Sequence, residues 1–241
     1  MPDDFFVGYL RAPARLVRFV AVVACVLLLG ADAVALLLYH SQARRASGDW
    51  GTAGEVAYDG TMVARPYPMV LVPAASRVPA HAVLLVSEGK FGAPEGLARL
   101  DGRKVTATGY PLLRDGLVVL QLSRDVQEAQ GAAAAASPVA LGQATLAGEI
   151  VDSKCFLGAM VPGEGKVHSA CAGLCLLGNI PALFVTRDAA GHLTYRLLAD
   201  ETGAAMSEAA SDHAGQFLTL TGRITHLDGI DLFAVPRASL D

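Results

Sequence analysis

The first strong pattern along the chain is an uninterrupted apolar run. From Phe19 to Tyr39 there are 21 residues with one charged side chain, Asp32, and no proline. A helix rises 1.5 Å per residue, so this run is long enough to cross a hydrocarbon core of about 30 Å. We therefore predict a transmembrane helix over residues 19–39, preceded by a cytoplasmic N-terminus over residues 1–18.

The arginines around this run predict its orientation. Three arginines precede it and two follow it: Arg11, Arg15, Arg18, Arg44 and Arg45. Under the positive-inside rule this slight excess favours a cytoplasmic N-terminus, a single pass through the inner (cytoplasmic) membrane and a periplasmic main domain. The alternative is a signal peptide cleaved near Ser41-Gln42-Ala43, but apolar cores of signal peptides are shorter, about 7–15 residues.

Asp32 is an unusual residue for the middle of a membrane span. A carboxylate there costs about 2.5–3.5 kcal/mol on insertion scales. Either it is protonated or lies near the outer headgroups, or it bonds to a second transmembrane helix. Ala31 and Ala35 are small enough to let another helix approach closely. On the second interpretation Asp32, Ala31 and Ala35 bind a membrane-embedded protein partner.

Beyond the span the apolar runs become short and rich in β-branched residues. Gly102–Leu120 and Gly215–Phe233 match without a gap, and each window predicts a strand, an Asp-Gly turn and a second strand. Two shorter likenesses precede them: Gly60–Val63 with Gly148–Val151, and Leu84–Val86 with Leu183–Val185. These likenesses indicate an internal duplication.

The duplication defines the predicted fold. We expect a mainly β protein in which the transmembrane helix is followed by two tandem OB-like β-barrels of about five strands each, the second with a short Cys/His helix. One β-sandwich built from both halves is the alternative. Beyond the span, the predicted segments are a linker (40–54), the first repeat (55–128), an Ala-rich linker (129–138) and the second repeat (139–241).

Composition and missing motifs exclude several functions. The net charge is −4 and no basic tract follows the span, so we expect no nucleic-acid partner. Gly89-Lys90-Phe91-Gly92 lacks the spacing of a phosphate-binding loop, so we expect no nucleotide. No hydrolase motif occurs, and we predict that the protein is not an enzyme. The segment Arg65–Pro68 (RPYP) is expected to be an exposed barrel edge.

A cluster of cysteines and one histidine carries the candidate chemistry. Cys155, Cys171 and Cys175 lie within 21 residues, with His168 among them. A helix is predicted over Lys166–Leu177, on which the histidine and the last two cysteines share one face at i, i+3 and i+7. Three cysteines and a histidine form the ligand set of a tetrahedral zinc site. Copper or an iron–sulfur centre is also compatible with these ligands.

A disulfide is the competing interpretation of the same cysteines. Exterior compartments favour disulfides, and Cys155 could pair with Cys171 or Cys175, leaving one thiol over. Gly178 is placed to end the predicted helix, and Pro181 prevents its continuation. In the first repeat Tyr67 takes the position that matches Cys155, so the cluster is an addition to the repeated scaffold.

The pattern Asp152-x-x-Cys155, His168-x-x-Cys171-x-x-x-Cys175 resembles a motif of small exported bacterial OB-like proteins of uncharacterised function. The resemblance covers about residues 146–235 and implies an OB-like barrel, with no activity to carry over. Those proteins often have a histidine soon after the first cysteine, which residues 156–160 lack here.

A second comparison is with the haem chaperones of cytochrome c maturation, which also join one span to a periplasmic OB barrel. Their haem-attaching motif is His-x-x-x-Tyr. Here His192-Leu-Thr-Tyr195 is one residue short of it.

These observations favour a membrane-anchored, non-catalytic accessory or assembly subunit of a membrane complex, with redox chemistry the expected context and a Cys3His metal site in its exterior domain. The alternatives are a stand-alone periplasmic metal- or thiol-handling protein, similar to a metal or haem chaperone, and a disulfide-stabilised scaffold without metal.

Overall fold

The computed structural model describes residues 13–41, 48–74, 81–134 and 137–240. The chain divides into two compact units, Met1–Ala46 and Ser47–Asp241. In the first unit, helix α1 runs from Ala14 to Ser41 with all its side chains exposed. Among the described residues it is the one helix long and apolar enough to cross a membrane, and it extends beyond the predicted span at both ends.

Two groups of predictions fall partly on residues that the structure does not describe. The orientation argument used Arg11, Arg44 and Arg45, which lie outside the described residues. The same holds for most of the predicted cytoplasmic segment and for parts of the two linkers.

The first barrel closes around five strands: β2 (Val56–Val63), β3 (Met69–Val72), β4 (His81–Val86), β5 (Lys104–Arg114) and β6 (Leu117–Leu122). In ring order β2 pairs with β3, β3 with β4, β4 with β6, β6 with β5, and β5 with β2. The β4–β6 pair is parallel and the others are antiparallel. Two short strands, β1 (Asp49–Trp50) and β7 (Gln127–Glu128), pair with β5 outside this ring.

The second barrel repeats this topology with β8 (Val139–Asp152), β9 (Ala182–Arg187), β10 (Leu193–Asp200), β11 (Phe217–Leu227) and β12 (Ile230–Val235). The parallel pair is again the third strand with the fifth, β10 with β12. Helices α2 (Ser169–Leu177) and α3 (Ser207–Ala210) lie in its connections. A five-stranded closed barrel with this strand order is the OB type, so the predicted mainly β fold with two such barrels is confirmed.

The register of the strands supports the duplication. Strands β5 and β6 have the same bounds as β11 and β12 after a constant shift of 113 residues. Gly60 lies opposite Val105 in the first barrel, and Gly148 lies opposite Leu218 in the second. Val105 and Leu218 are related by the same shift. The match of Gly60–Val63 with Gly148–Val151 is therefore correct.

One internal match was wrong. Leu84–Val86 belongs to the third strand of its barrel, β4, whereas Leu183–Val185 belongs to the second strand, β9. Strand order makes β10 the counterpart of β4. The error has a physical origin, because each buried barrel strand is a short run of Leu and Val, and local likeness does not identify its place in the ring.

The predicted Asp-Gly turns connect the last two strands of each barrel. Asp115 and Gly116 have φ of 49° and 86°, and Asp228 and Gly229 have φ of 40° and 86°. Two consecutive positive φ angles define the type I′ turn, which matches the twist of a two-residue hairpin.

The barrels pack on each other through one shared apolar core. Alternate residues of β3 and β4 face opposite sides: Val70 and Val83 point into the first barrel, while Met69 and Leu84 pack with the core of the second. Since successive side chains of a strand point to opposite faces, strands buried on both faces become continuous apolar runs. The two barrels therefore form one unit.

The segment Arg65–Pro68 is not an exposed edge beyond its first residue: Arg65 is exposed, Pro66 and Tyr67 are buried, and Pro68 is partly buried. Tyr67 is 1% exposed, and its hydroxyl accepts a hydrogen bond from the Met206 backbone N–H at 3.0 Å. The Ser207 hydroxyl lies 3.0 Å from the same oxygen. The prediction was wrong because the second barrel covers this segment, which no local pattern reveals.

Candidate metal centre

The first cysteine is positioned by the end of strand β8. Asp152, the last residue of the strand, is fully buried, and its Oδ1 accepts the backbone N–H of Cys155 at 2.8 Å. This bond fixes the first turn of the short helical segment Cys155–Ala159. The Asp-x-x-Cys spacing is therefore a local device, because a carboxylate that caps a turn directs the cysteine that follows it.

The other three residues lie on the predicted helix. A 3-10 turn over Lys166–His168 leads directly into α2, so the predicted helical segment 166–177 is confirmed. Gly178 ends the helix with φ of −78°, and the left-handed residue is Asn179, with φ of 64°. A glycine is needed at 178 for a different reason than the cap: a Cβ there would lie 1.8 Å from the Lys90 carbonyl oxygen.

The structure brings the four predicted ligands together in two overlapping groups. The ligand atoms of Cys155, His168 and Cys171 lie within 4.8 Å of one another, as do those of Asp152, Cys155 and Cys175. Cys155 belongs to both groups, and its Sγ is 3.9 Å from that of Cys175. All three thiols are free, so the alternative disulfide is not formed in this structure.

These distances suit a soft metal ion. Zn–S bonds are about 2.3 Å long, so two sulfurs on one tetrahedral ion lie about 3.8 Å apart. The observed separation of the Cys155 and Cys175 sulfurs, 3.9 Å, is close to that value. Sulfur and imidazole donors favour zinc or copper over magnesium or calcium, which take oxygen ligands.

Asp152 also contacts the histidine. Its Oδ2 lies 3.2 Å from His168 Nε2, and both side chains are almost completely buried. A carboxylate on one ring nitrogen orients the imidazole and leaves the other nitrogen for a metal. Sequence reasoning used Asp152 only as a letter of the motif and missed this role, for which the signal was its i, i+3 spacing to Cys155.

A residue from the first barrel completes the cluster. Lys90 Nζ donates to Cys171 Sγ at 2.7 Å and lies 3.5 Å from Cys175 Sγ. Sequence reasoning considered this lysine only for nucleotide binding. The contact joins residues 81 apart in the chain, so no spacing motif could have found it. Its flanking glycines, Gly89 and Gly92, were the available signal of a close backbone approach.

The loop that carries Lys90 is fixed to the second barrel at three points. The buried ammonium of Lys154 donates to the carbonyls of Ser87 and Gly89, each at 2.8 Å. The Gly92 N–H donates to the Gly178 carbonyl at 2.7 Å. Residues 87–92, which we call the lysine loop, are therefore held against the end of α2.

The charges of the cluster are strongly coupled. The hydrogen bond from Cys155 lowers the pKa of Cys175 to about 7, with Lys90 adding to the effect and burial opposing it. The same bond raises the pKa of Cys155, as do burial and the nearby Asp152 carboxylate. The bond to Cys171 raises the pKa of Lys90. The cluster thus holds a proton between Cys155 and Cys175 next to a firmly charged ammonium.

The sulfurs are open to solvent on one side. A cleft of about 400 Å³ is lined by all three cysteines and by residues of both barrels, among them Trp50, Lys90 and Met160. Cys171 is partly exposed, whereas Cys155 and Cys175 are buried. An ion or a small reagent can therefore reach the cluster through the cleft, on the side of Cys171.

The remaining candidates lie elsewhere. Ala31, Asp32 and Ala35 are on the exposed surface of α1, in the other unit. His192 pairs with Asp188 at 3.0 Å and is exposed. Tyr195 instead donates its hydroxyl to the Arg114 carbonyl at 3.2 Å, so these two residues do not form a shared site.

Comparison with protein-family models, with curated proteins and with solved structures finds no match for this chain. The class of protein thus follows from its own geometry: an apolar helix joined to a double OB-type barrel with a Cys/His cluster capable of holding a metal ion.

Proposed function

We propose that this chain is a membrane-anchored, non-catalytic accessory or assembly subunit of a membrane redox complex, and that its exterior domain holds one metal ion. The ligands are Cys155, His168, Cys171 and Cys175. The observation that carries the proposal is that two groups of three donors, which share Cys155, place three free thiols and a buried imidazole from two separate segments side by side.

A metal explains features that a simple crosslink does not. A disulfide between Cys155 and Cys175 would need neither the third thiol nor the imidazole that Asp152 orients. A single ion would engage all four donors at once.

The charges near the sulfurs favour a divalent ion. Three bound thiolates and Asp152 carry four negative charges, and the buried ammonium of Lys154 reduces them to three. Glu88 is exposed at the rim of the cleft, where water screens it. A divalent ion such as zinc leaves one of these negative charges, whereas monovalent copper leaves two. We therefore expect zinc.

The ligand set supports a non-catalytic role. Catalytic zinc keeps one coordination position open for water, and structural zinc is closed by four protein ligands. Cys155, His168, Cys171 and Cys175 would fill all four positions, so the ion has none left for a substrate. Its role would be to hold the β8–β9 connection, and the surface that it forms, in one shape.

The anchor supports assembly with another membrane protein. In the proposed topology α1 crosses the inner membrane and the barrels lie in the periplasm. Asp32 is then a carboxylate in a span whose described side chains are all exposed. A polar partner would lower the free-energy cost of placing it in the membrane. Ala31 and Ala35 lie one turn apart beside it.

Two measurements test the proposal. The full chain, purified anaerobically in detergent, should contain about one zinc per chain, with Cys155, Cys171 and Cys175 protected from thiol reagents until a chelator is added. A metal-free protein with one Cys155 disulfide would overturn the metal site. For the anchor, Asp32→Leu should abolish co-purification of a membrane partner that Asp3→Leu leaves bound; recovery of the wild type as a lone monomer would overturn the subunit role.

The open cleft favours a second candidate, a stand-alone protein that carries and hands over metal. A purely structural ion needs no access, yet the cluster borders solvent at Cys171. The two candidates differ in exchange rate. A carrier should release its zinc to a chelator within seconds to minutes, and a structural site should retain it for hours.

A further inference from the structure

We propose that Lys90 is the resident cation of the thiol cluster, and that metal binding expels its ammonium from the sulfurs. The inference rests on the proposed metal site and adds its coupling to the first barrel. The Lys90 side chain would then have two arrangements, one on the sulfurs and one in solvent.

The first argument is competition for the same atoms. Lys90 Nζ contacts the sulfurs of Cys171 and Cys175, which are two of the four proposed ligands. A metal ion that bonds both sulfurs draws electron density from them and so makes them weaker acceptors for the Lys90 N–H groups. It also brings a second positive charge close to the ammonium, beside one buried and one partly exposed sulfur, where water screens the repulsion only in part. Both effects disfavour keeping Lys90 in place.

The second argument is that Lys90 can leave without unfolding its loop. The lysine is exposed, and its long side chain borders the open cleft. The loop backbone is held independently, by Lys154 through Ser87 and Gly89 and by Gly178 through Gly92. A change of side-chain rotamer therefore moves the charge into water and leaves these backbone bonds intact.

The third argument is that two glycines allow the backbone of the lysine loop to lie directly against the end of α2. A Cβ at Gly178 would lie 1.8 Å from the Lys90 carbonyl, and one at Gly92 would lie 2.1 Å from the Asn179 carbonyl. Neither glycine has a positive φ, so close contact and not backbone conformation requires them. The two backbones meet at the residues that bring Lys90 to Cys171.

The test measures how fast each lysine reacts with an amine-acylating reagent, on the full chain in detergent, with and without one equivalent of Zn²⁺. Peptide mass spectrometry separates the sites. Zinc should raise labelling of Lys90 about tenfold, the factor that corresponds to losing one charge-assisted hydrogen bond. Labelling of buried Lys154 should stay low, and that of exposed Lys166 should stay high, in both states.

A pair of glycine substitutions on the same helix provides the matched control. Gly178→Ala forces the lysine loop away from α2, so Lys90 should label fast even without zinc. Its Cβ also lies 3.4 Å from the Cys175 backbone carbonyl oxygen, an ordinary contact that does not involve the thiol. Gly173→Ala places its Cβ 3.1 Å from the Ser211 carbonyl, away from the loop, and should behave as the wild type.

The outcomes separate this inference from the function on which it rests. Stoichiometric zinc binding with unchanged Lys90 labelling would overturn the inference alone, because Lys90 would then remain bonded to metal-bound sulfur. Failure to bind zinc would overturn the metal site and the inference together. Slow Lys90 labelling in Gly178→Ala would show that the glycine contact does not position the lysine.

Discussion

The two barrels share a scaffold and differ in what their first connection carries. Both have the same ring order, the same register and a glycine pressed against the neighbouring strand at equivalent positions. A Cβ at Gly109 would lie 2.1 Å from the Gln121 carbonyl, and one at Gly222 would lie 2.3 Å from the Ala234 carbonyl. The scaffold thus does not determine the chemistry, which lies on the loops that it holds.

The connection between the first two strands shows the difference. In the first barrel it spans residues 64–68, and Tyr67 is its buried residue. In the second it spans residues 153–181 and holds all four proposed ligands. The longer connection makes room for α2, whereas the short one can bury a single ring.

The same comparison reveals a reciprocal contact. The first connection of each barrel reaches the connection between the third and fourth strands of the other. Tyr67 bonds to Met206 and Ser207 of the second barrel, and Lys154 bonds to Ser87 and Gly89 of the first. One contact is a hydroxyl in an apolar core, and the other borders a set of thiols. The cluster is therefore a modified interface between barrels as well as a loop insertion.

The largest expected effect is on the tyrosine side of this interface. Tyr67→Ala removes a fully buried ring and should lower the free energy of unfolding by about 3–5 kcal/mol. Tyr67→Phe leaves the Met206 N–H unpaired and should cost about 1–3 kcal/mol. Urea denaturation followed by circular dichroism measures both. Tyr110→Ala, at a ring that is 42% exposed on β5, is the control; equal losses for Tyr67→Ala and Tyr110→Ala would contradict a shared core.

The next effect belongs to the thiol side. Cys155→Ser should weaken zinc binding more than 100-fold, or about 2.7 kcal/mol. Cys155 belongs to both ligand groups, and losing a ligand should cost more affinity than losing a residue that only orients a ligand. Competition with a chromophoric chelator measures the affinity. Cys25→Ser changes a thiol of α1, outside this unit, and should have no effect. Unchanged affinity in Cys155→Ser would remove it from the ligand set.

Features that depend on residues close together in the chain could be predicted from the sequence. The Asp-Gly turns at 115–116 and 228–229, the apolar helix and the i, i+3, i+7 face of His168, Cys171 and Cys175 each depend on a few consecutive residues. The closed barrels followed from repeated short β runs, because a five-stranded ring leaves few exposed edges.

Features that depend on packing between the barrels could not be predicted. Tyr67 resembles an exposed turn residue because prolines flank it, but its ring lies in the shared core and its hydroxyl bonds to residues 139 and 140 positions away. Lys90 likewise resembles a solvated loop lysine, because the thiols that it contacts lie more than 80 positions away. In both cases the contacting residues belong to the other repeat, so no periodicity or motif spacing in the sequence can predict the contact.

A smaller effect separates two of the three Asp–His pairs that the structure describes in the second barrel. Asp152→Asn keeps an oxygen for the Cys155 N–H but removes the charge that faces His168, so zinc affinity should fall about 10–100-fold. Asp188→Asn alters a pair of similar length on exposed His192 and should leave affinity unchanged. Isothermal titration with zinc measures both. Equal affinities in the two variants would mean that Asp152 serves only the turn.

The smallest effect concerns the contribution of the first barrel to the thiols of the second. In metal-free protein the pKa of Cys175 is lowered from 9.0 to about 7, so its thiolate predominates above that pH and is lost as the pH falls through it. The alkylation rate at Cys175, resolved from Cys171 by fragment-ion mass spectrometry, should therefore rise with a midpoint near pH 7.

Lys90→Met should move that midpoint upward, because it removes a positive charge that favours the thiolate. The shift should be less than tenfold in proton affinity, since Lys90 acts after the hydrogen bond from Cys155 among the causes of the lowered pKa. Cys155→Ser, which replaces the thiol donor, should change the midpoint more than Lys90→Met does. A midpoint that is the same with and without Lys90 would mean that the first barrel supplies a neighbouring surface but no electrostatic support, and the two barrels would then be coupled through packing alone.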